Sequence, residues 1–114
     1  MRSKYRNKKT VVDGITFDSR AEAARWTELR MLERAGEITS LERQVPFELV
    51  PSEPGPDGKK ARPMRYVADF TYFDTEGKRH VEDVKGVRTD VYRLKKRLMW
   101  HVHRIDVEEV SVRR

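Results

Sequence analysis

One stretch of the chain, residues 66–86, combines residue types and a spacing that can support metal-dependent chemistry. Residues 75–77, Thr-Glu-Gly, have the composition of a three-residue hairpin loop, with the glycine at the left-handed position. Counting back along the two strands from this loop places Asp69 directly opposite Asp83. Lys85 then lies two residues further along, on the same face of the sheet, because side chains alternate between faces.

Two carboxylates at directly opposed positions repel each other, since their side-chain roots are only about 5 Å apart. A folded protein tolerates such a pair when a positive charge lies between them, and a hard divalent cation with oxygen ligands suits this role. Lys85 can offset the charge and can also orient or deprotonate a metal-bound water. The pattern therefore indicates a divalent-metal site. The alternative is a solvated, salt-bridged surface, and a slip of one residue would place the aspartates on opposite faces.

A third carboxylate can come from the first predicted helix. Ser19 followed by Glu22 matches a capping box, and apolar residues at helical spacing follow until Gly36. Glu22 lies at the margin of the apolar face, from which it can reach the sheet as a further metal-shell oxygen. Glu28 lies nearer the middle of that face and stays open as an alternative, although Glu22 is favoured.

Basic side chains follow the hairpin on the second predicted helix, and a lysine pair lies in a loop rich in proline and glycine. Such side chains can contact DNA phosphates without reading sequence. The alternative for the helix is an ordinary solvated face. The candidate nucleic-acid-binding residues are Lys59, Lys60, Arg88, Arg93, Lys95, Lys96 and Arg97.

The overall charge agrees with a polyanionic partner. The chain has 25 Lys plus Arg against 19 Asp plus Glu, a net charge of +6. This surplus favours nucleic acid first and an anionic membrane surface second. There are no cysteines, which excludes disulfides and thiolate metal sites. The sequence contains no long apolar stretch of the kind that spans a membrane and no signal-peptide core, so an intracellular location is expected.

The 114 residues are enough for one domain with its own core, preceded by a basic arm at residues 1–10. Hydrophobic periodicity predicts a helix, three strands, a helix and a strand, which is an α/β pattern on a mixed sheet. The predicted segments are a helix from Ser19 to Gly36, a connector at 38–44, strands at 45–51, 65–73 and 79–85, a mobile loop at 52–63, a helix at 89–103 and a strand at 105–112. The second helix is expected to bury a stripe formed by Val91, Leu94, Leu98 and Val102.

The hairpin resembles the motif of the PD-(D/E)XK nuclease superfamily. The resemblance rests on residues 66–70, Tyr-Val-Ala-Asp-Phe, and on residues 81–86, Val-Glu-Asp-Val-Lys-Gly. Residues 17–22, Phe-Asp-Ser-Arg-Ala-Glu, are similar to the helical motif that carries an early metal-shell glutamate. The likeness covers residues 4–100 or so and is to a family of small phage-encoded proteins of uncharacterised function, which is grouped with Holliday-junction resolvases.

The resemblance implies a restriction-endonuclease-like core and a set of site residues. It assigns Asp69 and Asp83 as Mg²⁺ ligands, with Mn²⁺ able to substitute, Lys85 as the catalytic lysine and Glu22 as an auxiliary acid. Alanine stands where the superfamily name has proline, which is a common variation. Glu82 points to the other face of a regular strand, but a bulge would exchange it with its neighbour, so it is a reserve ligand.

The implied activity is Mg²⁺-dependent endonucleolytic hydrolysis of DNA, on branched substrates such as Holliday junctions during phage recombination or DNA processing. A junction cutter nicks two strands in a coordinated way, so a homodimer is expected. The implied location is the cytoplasm of a bacterium or of a phage-infected cell. Two other hypotheses stay open: a nuclease of restriction, repair or transposition type, and a non-catalytic nucleic-acid-binding module whose acids are structural.

Overall fold

The computed structural model describes residues 9–85 and 88–111. Of the predicted basic arm, residues 1–8 lie outside this part, and Thr10 already belongs to the first strand. The elements in chain order are β1 (Thr10–Val12), β2 (Ile15–Phe17), α1 (Arg20–Arg34), β3 (Ile38–Val50), β4 (Glu53–Pro54), β5 (Lys60–Ala61), β6 (Met64–Asp74), β7 (Arg79–Val84), α2 (Asp90–His103) and β8 (Glu108–Val110).

The main sheet has the strand order β3-β6-β7-β8. Strand β6 is antiparallel to both of its neighbours, β3 and β7, whereas β7 and β8 run parallel, so the sheet is mixed. Strands β1 and β2 form one small antiparallel pair, and β4 and β5 form another within the predicted loop at 52–63. The predicted α/β class on a mixed sheet is confirmed. Neither helix in the described part of the chain is long and apolar enough to cross a membrane.

Both helices begin and end where local signals place them. The Ser19 hydroxyl accepts a hydrogen bond from the Glu22 backbone N–H at 3.1 Å, and α1 ends just before Gly36, whose φ is +78°. In the same way, the Thr89 hydroxyl accepts from the Tyr92 backbone N–H at 3.1 Å at the start of α2. These bonds satisfy amides that have no partner within the helix, and so fix the first turns.

The predicted buried stripe of α2 is wrong. Val91, Leu94 and Val102 are 62%, 54% and 44% exposed, and Leu98 is only partly buried. The helix instead buries Tyr92 and Met99. The Tyr92 hydroxyl donates to a glutamate of β8 at 2.9 Å, so the aromatic face turns inward with its polar tip satisfied.

The predicted connector at 38–44 is also wrong, because these residues form the first half of β3. Ile38 is buried and is the register partner of Asp74. The pairing shifts between Thr39 and Glu42, and Ser40 between them has a φ of +54°. This bulge breaks the alternation of apolar and polar residues that identifies a strand in sequence. The closing strand is shorter than predicted, since β8 covers only Glu108–Val110, and residue 112 lies outside the described part.

The β6–β7 hairpin has the predicted loop and register. The Asp74 backbone N–H donates to the Lys78 carbonyl at 2.9 Å, and Gly77 has a φ of +81°. The ladder runs from Phe73 opposite Arg79 to Phe70 opposite Glu82 and ends there. The two aspartates of the candidate site lie immediately beyond its last pair.

Replacing Gly77 by alanine is expected to destabilise the protein by about 1 kcal/mol, because an L-residue at positive φ is strained. An added Cβ at Gly77 would meet no atom within 4 Å, so the cost is in the backbone alone. Gly55→Ala is the matched control, since Gly55 has no positive φ and its added Cβ makes ordinary contacts. Urea unfolding of both variants measures the difference; equal stabilities would contradict the assigned strain.

The alternation of side chains along β6 is broken at Asp69. Ala68 packs in the core cluster that contains the buried residues of α2, whereas Phe70 packs in the cluster that contains those of α1. Residues two apart on a regular strand share a face, so the strand must change its orientation between them. On the neighbouring strand, Gln44 lies between the register partners of these two residues and has a φ of +54°. The irregularity leaves the Asp69 side chain free to turn toward the end of β7.

Candidate metal-binding active site

Asp69 and Asp83 come together at the point where the β6–β7 ladder ends. The Asp69 carboxylate accepts a hydrogen bond from the Val84 backbone N–H at 2.8 Å, a bond that holds it against β7. It is also in side-chain hydrogen-bonding contact with the carboxyl group of Asp83, which is 5% exposed. The two acids are therefore close to each other, as predicted. They are not a regular ladder pair, however, because Asp69 turns its side chain toward the end of β7.

Lys85 lies beside this pair. Its Nζ is 2.8 Å from Oδ2 of Asp83, and its backbone N–H donates to the Val110 carbonyl of β8 at 3.1 Å. The ammonium group also lies 3.7 Å from the centroid of the Tyr92 ring, a cation–π contact that restricts its position. Tyr92 was not singled out from the sequence, where it is one aromatic residue in a basic helix.

Glu22 supplies the third carboxylate. It is partly buried on the first turn of α1 and its carboxyl group is in hydrogen-bonding contact with Asp69. Glu28, the alternative, is 54% exposed and lies 3.9 Å from the Arg25 guanidinium on the outer side of the helix. The structure thus gathers Glu22, and not Glu28, with the two aspartates.

The acidic cluster carries more negative charge than its neighbours neutralise. Burial, the contact with Asp83 and the charge of Glu22 raise the pKa of the Asp69 carboxyl to about 8. Burial, together with the nearby charge of Asp18, also raises the pKa of Glu22. At neutral pH the cluster therefore retains a proton that a cation would displace.

A buried hydroxyl also lacks a partner beside the acids. The Tyr66 side chain is 4% exposed, and its hydroxyl makes no hydrogen bond of ordinary geometry, although it lies close to Asp83. Burial and the charge of Asp83 raise its pKa above the usual range, so it remains a neutral donor. The Tyr66 hydroxyl is therefore a buried donor beside Asp83 that a water or a ligand oxygen could use.

The donor set fits a hard divalent cation, but it is not preassembled as a metal cage. Within residues 9–85 and 88–111, no three His, Cys, Asp or Glu side chains form a group with the geometry of a metal site. Lys85 already occupies one oxygen of Asp83, and the Val84 amide occupies one of Asp69. Carboxylate oxygens are the ligands that Mg²⁺ prefers, and Mg²⁺ is commonly held by only one or two carboxylates together with waters and substrate phosphates. Asp69 and Asp83 would provide that number of carboxylates, with Glu22 as a third acid nearby.

Glu82 does not serve as a reserve ligand. It is 1% exposed and lies on the other face of β7, where Arg25 donates two hydrogen bonds to it at 2.8 and 2.6 Å. The Tyr72 hydroxyl donates to the same carboxylate. The register shifts of the sheet lie in β3, so β7 keeps its alternation and Glu82 stays on the side of α1. Because Glu82 lies in a strand that the sequence predicts to be buried, its carboxylate needs a positively charged partner. The sequence does not indicate that this partner is Arg25.

The predicted nucleic-acid-binding residues fall into two groups. Lys59 and Lys60 are exposed on the β4–β5 hairpin. Arg88 pairs with Glu109 at 2.8 Å, beside the Tyr92 ring that Lys85 contacts. The remaining cations lie along α2, where Arg93 and Arg97 are exposed and Lys95 and Lys96 are partly buried.

A family model matches residues 2–113 and carries the description "Protein of unknown function (DUF1064)". The chain belongs to the DUF1064 family. No curated protein matches the chain. The family description names no activity, so the function of this DUF1064 protein must be argued from the acidic cluster and its surroundings.

In the absence of divalent metal, the stability of the protein is expected to fall as pH rises from about 4 to about 8. The folded state keeps a proton on the Asp69 cluster that the unfolded state loses near the ordinary pKa of 3.8, so the folded state binds more protons in this interval. The slope cannot exceed about 1.4 kcal/mol per pH unit for one proton. Urea unfolding in EDTA across this range measures it.

Comparison with Asp69→Asn separates the contribution of the cluster to this pH dependence from that of other titrating groups. His80, whose pKa is raised by its hydrogen bond to Asp74, also loses a stabilising charge as pH rises, but it is present in both proteins. The variant should therefore show a shallower slope and should be the more stable protein at pH 8. Parallel pH profiles for the two proteins would contradict the raised pKa of Asp69.

Proposed function

We propose that this DUF1064 protein is a Mg²⁺-dependent DNA endonuclease of the PD-(D/E)XK type. The observation that carries the proposal is the meeting of Asp69, Asp83 and Glu22, from three different elements, beside Lys85. Buried acids in contact repel each other, and strongly raised carboxyl pKa values cluster at functional sites. The order of α1, β3, β6, β7, α2 and β8 is compatible with a restriction-endonuclease-like core.

The reaction is hydrolysis of a phosphodiester bond. A water oxygen attacks the phosphorus, the bond to one sugar oxygen breaks, and the departing oxygen takes up a proton. Mg²⁺, or Mn²⁺ in its place, supplies Lewis-acid activation of the phosphate and lowers the pKa of the attacking water. Asp69 and Asp83 would hold the ion, with Glu22 as an auxiliary acid.

Lys85 has the position to act on the phosphate and on the water. It is held by Asp83 and by the Tyr92 ring, so its ammonium group is oriented before substrate binds. A positioned cation stabilises the negative charge that develops on the phosphate oxygens, and it can also orient the water. The unpaired Tyr66 hydroxyl can donate to a water at the same place.

The substrate proposed is branched DNA, and the protein is proposed to act as a homodimer, because a junction requires two coordinated nicks. The basic side chains of α2, with Lys59 and Lys60, would bind phosphates without reading sequence. The resemblance to the nuclease superfamily supports this choice of substrate, and the net charge of +6 supports DNA as the partner.

The test is a cleavage assay on labelled four-way-junction, flap and linear duplex DNA of matched length, with Mg²⁺ or with EDTA. The proposal expects Mg²⁺-dependent cutting with a preference for the branched substrates. Duplex cutting alone would indicate a restriction- or repair-type nuclease. DNA binding by folded protein without cutting of any substrate would instead support a non-catalytic binding module.

A further inference from the structure

A second site lies outside the acidic cluster, in a cleft between α2 and the segment that leads into β8. The cleft has a volume of about 560 Å³, within the range of small-ligand sites. Its helix wall carries Arg93, Lys96, Arg97 and Trp100. These four residues are separated by three, one and three positions, so they share one face of the helix.

Trp100 is the unusual member of this wall. Its side chain is 52% exposed, although a tryptophan carries more apolar surface than any other residue and is normally mostly buried. The Arg104 guanidinium lies 5.6 Å from the centroid of its ring and helps to hold it in place. An exposed aromatic ring beside three cations matches the composition of sites that stack an unpaired base and hold its phosphates.

The opposite wall of the cleft carries two acids, which do not favour a bare phosphate there. Glu109 is already engaged by Arg88 at 2.8 Å, by the Tyr92 hydroxyl at 2.9 Å and by Lys96 at 3.4 Å. Asp106 is exposed. Its carboxylate can accept hydrogen bonds from the amino groups of a base. A nucleotide could therefore place its base between the walls of the cleft and its phosphates against the cations of α2.

The cleft is linked to the acidic cluster by three direct contacts. Glu109, on its wall, accepts from Tyr92; the Tyr92 ring lies 3.7 Å from Nζ of Lys85; and Lys85 lies 2.8 Å from Asp83. The cleft therefore lies within three side-chain contacts of the acidic cluster.

We infer that the cleft between α2 and β8 binds one unpaired DNA base, which stacks on Trp100 while Arg93, Lys96 and Arg97 hold the adjoining phosphates. The inference rests on the proposed function for the identity of DNA as the ligand. It adds the structural feature that the protein recognises, namely a nucleotide released from the duplex at a flap or junction. Bases inside a regular duplex are stacked on each other and cannot enter such a cleft.

The test measures binding in EDTA, where no metal-dependent hydrolysis occurs. The chain has two tryptophans, so Trp26→Phe leaves Trp100 as the only one. Its fluorescence should be quenched by a short single-stranded oligodeoxynucleotide, but not by an oligonucleotide of equal charge that consists of abasic sugars. Quenching by both to the same extent, or by neither, overturns the inference.

Affinity measurements on variants complete the test. Trp100→Ala should weaken single-strand binding about five- to 150-fold and leave abasic binding unchanged, because base stacking alone is lost. Leu94→Ala is the control, since Leu94 is 54% exposed on α2 and does not line the cleft. Unchanged single-strand affinity in Trp100→Ala overturns the inference.

The cleavage assay separates this inference from the proposed function. If Trp100 contributes to base-dependent binding but the protein cuts no DNA with Mg²⁺, the base-binding cleft is supported and the proposed nuclease activity is contradicted. If Trp100→Ala cuts flap, junction and duplex DNA with Mg²⁺ as fast as the wild type, the base-binding cleft is contradicted and the nuclease activity is supported.

Discussion

Replacing Asp83 by asparagine is expected to reduce Mg²⁺-dependent DNA cleavage by about a thousandfold or more. Metal ions contribute several kcal/mol to phosphodiester hydrolysis, and each 1.36 kcal/mol is a factor of ten in rate. Asparagine keeps the shape of the side chain but removes the charge that would bind the ion. Initial rates on a labelled junction, at saturating enzyme, measure the effect.

The fold of this variant should be intact. Removing the charge of Asp83 relieves its repulsion of Asp69, but it also removes the ion-pair partner of Lys85, whose Nζ is 2.8 Å away. The two effects oppose each other, and asparagine keeps an oxygen that can accept from Lys85, so we expect a cooperative urea unfolding transition at pH 8 in EDTA. A variant that is inactive because it is unfolded under the assay conditions would contradict the account, because a structural role would then explain the loss.

Two further substitutions act as matched controls on the acids of α1. Glu22→Gln should slow cleavage, since Glu22 contacts Asp69, whereas Glu28→Gln should not, since Glu28 is exposed on the outer side. Both changes remove one negative charge from the same helix and so change the overall attraction to DNA equally. Equal rates in the two variants would exclude Glu22 from the site.

The second large effect is on stability. Arg25→Ala is expected to destabilise the protein by about 3–5 kcal/mol, the cost of leaving a buried charge without its partner. Glu82 is 1% exposed, and Arg25 supplies two of its hydrogen bonds, at 2.8 and 2.6 Å. The Tyr72 hydroxyl alone does not neutralise it. Urea unfolding at pH 7 measures the change.

Arg30→Ala is the control for this effect. Arg30 pairs with Glu33 at 2.6 Å on the same helix, but both side chains are partly exposed, at 36% and 28%. Exposed pairs of this kind contribute less than about 1 kcal/mol. An apolar replacement of both partners, Arg25→Leu with Glu82→Leu, should recover most of the stability lost in Arg25→Ala, because no charge is then left buried. Equal losses in Arg25→Ala and Arg30→Ala would contradict the assigned role of the buried pair.

The ion pair also has a consequence for the site. It joins α1 to β7, and Glu22 lies one turn before Arg25 on the same face of the helix. Loss of the pair removes the connection that holds this turn against the sheet. Cleavage by Arg25→Ala should therefore decrease even at temperatures where the variant is folded, by less than in Asp83→Asn.

The parts of the fold that the sequence predicted are those decided by neighbouring residues. The hairpin loop with Gly77, the cap at Ser19 and the cap at Thr89 each depend on contacts within a few positions. For this reason the hairpin register and both helix boundaries were predicted correctly. The register in turn made the proximity of Asp69 and Asp83 predictable.

The errors concern residues whose position depends on distant partners. The helix α2 buries Tyr92 and Met99 against the sheet, with the Tyr92 hydroxyl on Glu109, and no local pattern contains these partners. The extent of β3 was missed because a bulge at Ser40 interrupts its alternation. The fixed position of Glu82 depends on Arg25, 57 residues away in the chain. Trp100 carried no signal in the sequence, because its exposure is visible only once the helix is packed.

The central claim, that the acidic cluster binds a divalent cation, is tested most directly by calorimetric titration of Mg²⁺ into the wild type and Asp83→Asn. Titration in two buffers of different ionisation enthalpy also reports the protons released, because Asp69 retains a proton at neutral pH. We predict saturable binding with proton release in the wild type, tighter at pH 8 than at pH 6, and no binding in the variant. Absence of binding to the folded wild type, with or without bound DNA, would contradict the assignment.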